Sequence, residues 1–177
     1  SIISRQVEDI GKLANEFSDF ARMPNPIKKS NNLKKLLQDT INLYKLSENK
    51  IIFDLNYKST TDVFQFDLNQ ISRVLINIIK NSLESIHEKQ ELDKDLQGIV
   101  NILVENNNDF IYITIEDNGV GFKTTPKDLI LPLTTTKQKG SGLGLSIVSK
   151  ILHQHGGDLN FIEKSNGAKI KLSIKIN

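Results

Sequence analysis

Ile111-Tyr112-Ile113-Thr114-Ile115-Glu116-Asp117-Asn118-Gly119-Val120-Gly121-Phe122 begins as one kind of structure and ends as another. Ile111, Ile113 and Ile115 fall on one side, and Tyr112, Thr114 and Glu116 on the other. This is the period of a strand with one buried face. Asp117 continues the buried parity, where a carboxylate is costly unless hydrogen bonds are donated to it. Gly119 and Gly121 then let the chain turn tightly and bring backbone close to a ligand. Two readings stand for this segment: a ligand-facing acid beside a permissive loop, or an Asp-Asn-Gly turn whose carboxylate caps its own backbone.

Outward from this stretch, the C-terminal half supplies partners for the strand. Val100, Ile102 and Val104 alternate before it, and Asn106-Asn107-Asn108-Asp109 makes the turn between. Leu159 and Phe161 open a further strand, Ser165-Asn166-Gly167 marks a hairpin turn, and Ile170, Leu172, Ile174 and Ile176 alternate with Lys169, Lys171, Ser173 and Lys175. Such strict alternation describes a sheet covered on one face. Helical spacing marks the cover: Leu33, Leu36, Leu37, Ile41 and Tyr44 within Asn32 to Ser47; Ile71, Val74, Leu75, Ile78, Ile79, Leu83 and Ile86 within Leu68 to Lys89; and Leu143, Ile147, Val148, Ile151 and Leu152 within Gly142 to His155. Ile51, Phe53, Leu55 and Tyr57 give a strand, and Asp62 to Asp67 a short one. His87 to Gly98 is almost wholly polar and is expected to be a surface loop. Lys123 to Gly140 is polar and rich in Thr and Lys. Five or six strands and three helices predict a two-layer α/β sandwich with its sheet covered on one face.

A separate element precedes this sandwich. Ile3, Val7, Ile10, Ala14, Phe17 and Ala21 follow steps of four and three, the spacing of a helix in a bundle. Leu13 and Phe20 widen the stripe. Met23-Pro24-Asn25-Pro26 ends it, since a residue before proline leaves helical geometry. The boundary is placed there, giving residues 1–25 as a bundle-type helix and 26–177 as the α/β domain. A helix with this stripe is expected to pair with a further segment or a second copy, or else to lie on the main domain.

Composition limits what the chain can do. Its 177 residues carry a net charge of +2, with 38% hydrophobic and 25% charged residues. That charge is too small to argue for nucleic acid or an anionic membrane. There is no cysteine, so neither disulfides nor thiolate metal sites are available. No apolar run reaches the ~18 residues of a membrane span.

Three further features go beyond what folding requires. Asn77, Asn81, Glu84 and Glu88 share a narrow face of the helix that begins near Leu68. Asn inside a helix costs roughly 0.6 kcal/mol relative to Ala, and oxygens in line suit a hard cation such as Mg²⁺, which keeps most of its waters. A merely solvated face is the alternative. Gly140-Ser141-Gly142-Leu143-Gly144 opens the next helix, where free backbone N–H groups form an anion site. Its spacing fits neither a Walker A loop nor a dinucleotide fingerprint, and a glycine-rich helix entry is the plainer reading. Leu129-Ile130-Leu131-Pro132-Leu133-Thr134-Thr135-Thr136-Lys137 is a long connection and a candidate lid. Lys137 either swings onto a phosphate or is an ordinary surface lysine. In combination, a buried acid for a base amine, a face for Mg²⁺, a lid and an anion-binding helix start describe a nucleoside triphosphate site.

In this order, the residues resemble the ATP-binding (Bergerat) fold shared by sensor histidine kinases, DNA gyrase B, the Hsp90 chaperones and the MutL mismatch-repair proteins, which implies a mixed sheet with three helices on one face. The resemblance covers residues 30 to 177. Asn77-Ile-Ile-Lys-Asn81-Ser-Leu-Glu84 is similar to the N box, Asp117-Asn118-Gly119-Val120-Gly121-Phe122 to the first glycine box, and Gly140-Ser-Gly-Leu-Gly-Leu-Ser-Ile-Val148 to the second. Pro132-Leu-Thr-Thr-Thr-Lys137 and His155-Gly156-Gly157 resemble histidine kinases, above all nitrogen-regulation sensors of the NtrB and NtrY type. Phe20-Ala21-Arg22-Met23-Pro24 resembles the end of the second helix of their dimerisation and phosphotransfer hairpin.

The resemblance implies ATP and Mg²⁺ as cofactors, with Asn81 holding the metal, Asp117 bonding the adenine amine and the second glycine box wrapping the phosphates. The implied nucleotide site comprises Asn77, Asn81, Glu84, Ser85, Asp117, Gly119, Gly121, Phe122, Thr136, Lys137, Gly140, Ser141, Gly142, Leu143, Gly144, Leu145 and Ala168, with Asn81 and Lys137 in the catalytic role. It implies a histidine-bearing helix and a response regulator as partners, a homodimer in the full-length protein, and a cytoplasmic domain of a membrane-anchored sensor. Departures exist. Ile130 and Leu133 stand where phenylalanines are usual, and Ala168 where a hydroxyl is frequent. The phosphoacceptor motif is absent: His87-Glu88 is followed by Leu92 rather than proline, and His153 and His155 sit where they would cap a helix end. The acceptor is therefore expected upstream of Ser1. Alternatives are an ATPase clamp of the gyrase or MutL kind, which would need a glutamate base where Asn77 stands, and a non-catalytic nucleotide-binding module.

Overall fold

A computed structural model describes residues 2–132 and 142–176. Its central sheet has five strands in the order β2-β4-β5-β7-β6. These are β2 (Ile51–Tyr57), β4 (Gly98–Asn106), β5 (Phe110–Asp117), β6 (Leu159–Ile162) and β7 (Lys169–Lys175). β2 and β4 run parallel, with Ile51 opposite Gly98, and the remaining pairs are antiparallel. The β4–β5 connection is tight because the Asn107 side chain accepts from the N–H groups of Asp109 and Phe110, at 3.0 and 2.8 Å. β5 lies mid-sheet and alternates in burial along its whole length, ending on buried Asp117.

Three helices cover the apolar face. α2 (Leu33–Lys45) is capped by Asn32, whose side chain accepts from the Lys35 N–H at 2.8 Å. α3 (Leu68–Leu92) starts at Asp67, which accepts from the Gln70 N–H at 3.0 Å. Each is an ordinary N-cap supplying an acceptor to an orphan donor of the first turn. α5 (Gly144–Gln154) packs beside α3. Every apolar residue assigned from spacing to the α3 face is buried, together with Val100, Ile102 and Val104 of β4, Ile111, Ile113 and Ile115 of β5, and Ile170, Leu172 and Ile174 of β7. The two-layer α/β sandwich with a mixed sheet is therefore the observed architecture.

Three details depart from the sequence reading. α3 runs on to Leu92, so the loop expected from His87 begins only after the helix; i,i+4 hydrogen bonding tolerates the polar residues there because that last stretch is mostly solvated. Lys29–Asn32 forms β1, antiparallel to β3 (Val63–Phe66), as a separate two-stranded sheet. Lys29-Ser30-Asn31-Asn32 has no apolar residue and hence no alternation to read. α4 (Pro126–Ile130) interrupts the polar stretch after Lys123, with Thr125 at its N-cap and proline in its first turn. The described residues thus hold seven strands, and four helices follow α1.

α1 (Ile2–Ala21) ends as the proline segment requires. The segment after it is strapped to α3: Gln70 donates to the Pro24 carbonyl at 3.1 Å, and Ile27 donates to the Asp67 carboxylate at 2.7 Å. At the end of α1, Lys150 of α5 donates to the Phe20 carbonyl at 2.7 Å and stands over its ring at 4.9 Å. Val7, Ile10 and Phe17 remain exposed.

His155 ties the sandwich together at the other end of α5. It is 1% exposed. The Asp67 N–H donates to its Nε2 at 3.1 Å, so Nδ1 carries the proton and donates to the Ile151 carbonyl at 2.8 Å. Burial holds this imidazole below its ordinary pKa and neutral. The helix-capping role expected for His155 is thereby met.

Candidate nucleotide-binding site

Asp117 is 4% exposed at the end of β5. Its Oδ1 accepts from the Gly119 N–H at 2.9 Å and the Ala168 N–H at 3.2 Å, and the Ser82 hydroxyl of α3 favours the charged form. An ionised carboxylate offers about four acceptor positions. Both backbone donors fall on Oδ1. Burial pushes the Asp117 carboxyl above its ordinary pKa, while the bonds from Gly119, Ala168 and Ser82 and the charge of Lys164 pull it down. The turn-capping reading is met by the bond from the Gly119 N–H to Oδ1.

The loop after Asp117 is pressed against α3. The Ser85 carbonyl accepts from the Val120 N–H at 3.2 Å, and its hydroxyl from the Gly121 N–H at 3.3 Å. A Cβ at Gly119 would stand 2.3 Å from Ser85 Oγ, so only glycine allows this approach. Gly167, at φ +83°, is confined in the same way: a Cβ there would meet the Asp117 carbonyl at 1.9 Å. Asn118 extends the sheet with its side chain, accepting from Ile99 N–H and donating to the Gln97 carbonyl, both at 2.8 Å. Lys89 donates to the Asn118 carbonyl at 2.9 Å, and Lys164 to the Asp117 carbonyl at 3.1 Å. Lys164 also pairs with Glu116 at 2.8 Å, and that bond holds the Glu116 carboxyl below its ordinary pKa. Phe122 meets Phe161 edge to face at 5.2 Å. Ser85 is thus in place as a residue that shapes the loop.

The polar face of α3 leads to α5. Asn77 donates to the Arg73 carbonyl at 2.9 Å, and a Cβ at Gly144 would stand 3.1 Å from its Oδ1. The N-box face and the second glycine box are therefore neighbours. Asn81 and Glu84 are half-buried and engaged in polar interactions. Glu88 is drawn away from this face into an ion pair with Lys123. Among the described residues, no three acidic or histidine side chains cluster to hold a metal. A Mg²⁺ here would take most of its ligands from phosphate and water, to which a single amide oxygen at Asn81 is suited. Leu143 stands at the N-cap of α5 and makes no side-chain cap bond, and the first turn of a helix is a place suited to an anion. Gly142, Leu143, Gly144 and Leu145 line this start. Thr136, Lys137, Gly140 and Ser141 lie outside the described residues, as does most of the candidate lid.

Sequence reasoning missed several contributors. The Ala168 backbone N–H, Ser82, Asn118, Lys89 and Lys164 all fix the acid or its loop. Only Ser82 carried a local signal, as a hydroxyl on the buried side of α3 directly after Asn81.

Residues 66–177 match the family described as histidine kinase-, DNA gyrase B-, and HSP90-like ATPase. The chain belongs to this family. Its relatives include nitrogen regulation protein NtrY of Azorhizobium caulinodans, 37% identical over 98% of this chain and 23% of that protein. A putative sensor histidine kinase, NtrY-like, of Rickettsia prowazekii is 36% identical over 96% of this chain and 27% of that protein. The chain spans about a quarter of the length of these curated relatives. The family fold is also that of solved structures. The catalytic domain of histidine kinase ThkA, nucleotide free, superposes with a TM-score of 0.73 at 24% identity, covering 84% of this chain and 95% of that one. Full-length ShkA in complex with AMPPNP gives 0.77 at 20% identity, covering 96% and 36%.

Proposed function

We propose that this chain is the ATP-binding catalytic part of a two-component sensor histidine kinase, transferring the γ-phosphoryl group of Mg-ATP to a histidine outside these 177 residues. The observation that carries the reading is the buried Asp117 carboxylate at the end of β5, with both backbone donors on Oδ1, which suits an amine donor of a purine. The glycine-lined start of α5 beside the α3 face supports it, since an anion and its cation would be accommodated together there. Asn81 would hold Mg²⁺, whose charge offsets that developing on the phosphates. Asn77, Gly142, Leu143, Gly144 and Leu145 border the phosphate region, and Phe122 packs behind the first glycine loop. Thr136, Lys137, Gly140 and Ser141 are proposed to close over the phosphates, with Lys137 as the cation on the transferring group. The protein's contribution is position and charge: the acceptor nitrogen attacks phosphorus in line, the bond to the bridging oxygen breaks, and ADP leaves.

ThkA has been solved in complex with response regulator TrrA, and a response regulator is proposed as the downstream partner here. Residues 1–25 are proposed as part of the dimerisation and phosphotransfer hairpin of a homodimer, supported by the exposed Val7, Ile10 and Phe17 of α1. No helix among the described residues is long and apolar enough to cross a membrane. A cytoplasmic location and attachment to a membrane-anchored sensor are proposed, as the resemblance to sensor histidine kinases implies. A hydrolytic clamp is disfavoured because Asn77, a neutral amide engaged with Arg73, cannot take a proton from water.

The test is calorimetry with Mg-ATP, followed by γ-labelled ATP with and without a supplied histidine-bearing helical hairpin. Binding is expected, with label on the hairpin and none on this chain. His155 is buried, His87 is bonded to Glu48 at 2.9 Å, and His153 lies in the last turn of α5. Acid-labile, alkali-stable label on the chain alone would overturn the placement of the acceptor; absence of nucleotide binding would overturn the reading itself.

A further inference from the structure

Two asparagines precede a glycine, Asn118 and Asn166, and the fold treats them oppositely. Asn118 is bonded at both ends of its carboxamide, from the Ile99 N–H and to the Gln97 carbonyl, each at 2.8 Å. The Gly119 N–H that follows it donates to Asp117 Oδ1 at 2.9 Å in buried surroundings. Asn166 is exposed in the turn between β6 and β7. Its Oδ1 accepts from the ammonium of Lys89 on α3, which also donates to the Asn118 carbonyl at 2.9 Å. The residue after it must be glycine. Gly167 stands at φ +83°, and a Cβ there would meet the Asp117 carbonyl at 1.9 Å. The packing around Asp117 therefore keeps an exposed asparagine in front of the residue type whose nitrogen no side chain shields.

We propose that the Asn166-Gly167 pair is a self-modifying site, at which the Asn166 carboxamide is converted to a carboxylate with water as the only co-reactant. The Gly167 backbone nitrogen attacks Asn166 Cγ, a step favoured because both groups belong to one short stretch of chain. The bond from nitrogen to Cγ forms, the bond from Cγ to Nδ2 breaks, and ammonia leaves with the proton that the Gly167 nitrogen gives up. Lys89 assists as an electrophile, since its ammonium faces the oxygen on which negative charge develops. Water then opens the cyclic imide. Attack at Cγ restores the original main chain, with aspartate in place of Asn166 and its carboxylate beside Lys89. Attack at the Asn166 main-chain carbonyl carbon leaves isoaspartate, with the chain routed through Cβ and Cγ. That product lengthens the backbone by one carbon just ahead of Gly167 and Ala168, and the Ala168 N–H is a donor to Asp117 Oδ1 at 3.2 Å. The consequence for ATP rests on the nucleotide reading above; the chemistry at Asn166 does not.

The experiment is prolonged incubation of the full chain at neutral pH, followed by peptide mapping with fragmentation that tells isoaspartate from aspartate. Reaction at Asn166 is expected to outpace that at Asn118 by about tenfold or more, because Asn118 must first give up the bonds to Ile99, Gln97 and Asp117. Equal rates at the two asparagines, or no reaction at Asn166, would overturn the proposal, and this comparison needs no variant. Lys89→Met is expected to slow the reaction severalfold, with Lys89→Arg, which keeps a donor, in between; thermal melts establish that both are folded. A faster reaction in folded Lys89→Met would overturn the activating role and make Lys89 a restraint. The isoaspartyl fraction, separated by ion exchange, should bind ATP about tenfold more weakly by calorimetry, while Asn166→Asp binds as the unaltered chain does. Equal affinity in the isoaspartyl fraction would overturn the link to Asp117. No ATP binding by the unaltered chain would instead overturn the nucleotide reading and leave the chemistry at Asn166 standing.

Discussion

Asp117 shows how a binding group can oppose the fold that holds it. Burial raises its carboxyl pKa, so the folded chain holds that proton more tightly than the unfolded one. The stability linked to this group is fully present below the unfolded carboxylate value of about 4 and is lost as pH rises through the folded value. At neutral pH the unliganded domain therefore bears the cost of an ionised, buried acid. Asp117→Asn is expected to leave the fold intact and raise its melting temperature at pH 7, with a smaller gain at pH 4. The same change should weaken ATP binding by about 1–3 kcal/mol, because an amide nitrogen facing the adenine amine leaves a buried donor unpaired. Thermal melts at the two pH values and calorimetry check both halves. Unchanged affinity in the folded variant would show that the carboxylate only caps its turn.

α3 is the element on which the site is assembled. One side packs the sheet, Ser85 bonds the loop after the acid, and Asn77 adjoins the start of α5. Asn81→Ala is expected to weaken Mg-ATP more than metal-free ATP, since its amide oxygen suits a cation that keeps most of its waters. Equal losses with and without Mg²⁺, measured by calorimetry with a chelator as control, would remove the metal role. α3 also shows what sequence could tell. Its apolar face was legible because burial demands helical spacing, and its polar stripe because asparagine is poor helix material. Asp117 was legible for a similar reason, as an acid on buried parity. The contributors that stayed hidden act through backbone or across long separations. The Ala168 N–H on Asp117, the lysines on the glycine loop and the β1–β3 pair leave no periodic trace, and the last turns of α3 look like a loop in a polar sequence.

At the scale of the whole molecule, the sheet joins strands of two kinds. β4, β5 and β7 are neighbours through antiparallel pairs, and β4 and β5 meet across a three-residue turn. β2, an edge strand, is parallel to β4, and the whole of β3 and α3 lies between Ile51 and its partner Gly98. Closing so long a connection is entropically demanding, and such contacts form late. Native-state hydrogen exchange is expected to show β2 amides exchanging through a partial opening while β4 and β5 amides exchange only on global unfolding. Uniform protection across all five strands would contradict this. The acid that the function depends on is thus carried by a strand that opens last. A thermal excursion that peels away the β2 edge would leave the Asp117 carboxylate in place, ready when the edge re-anneals.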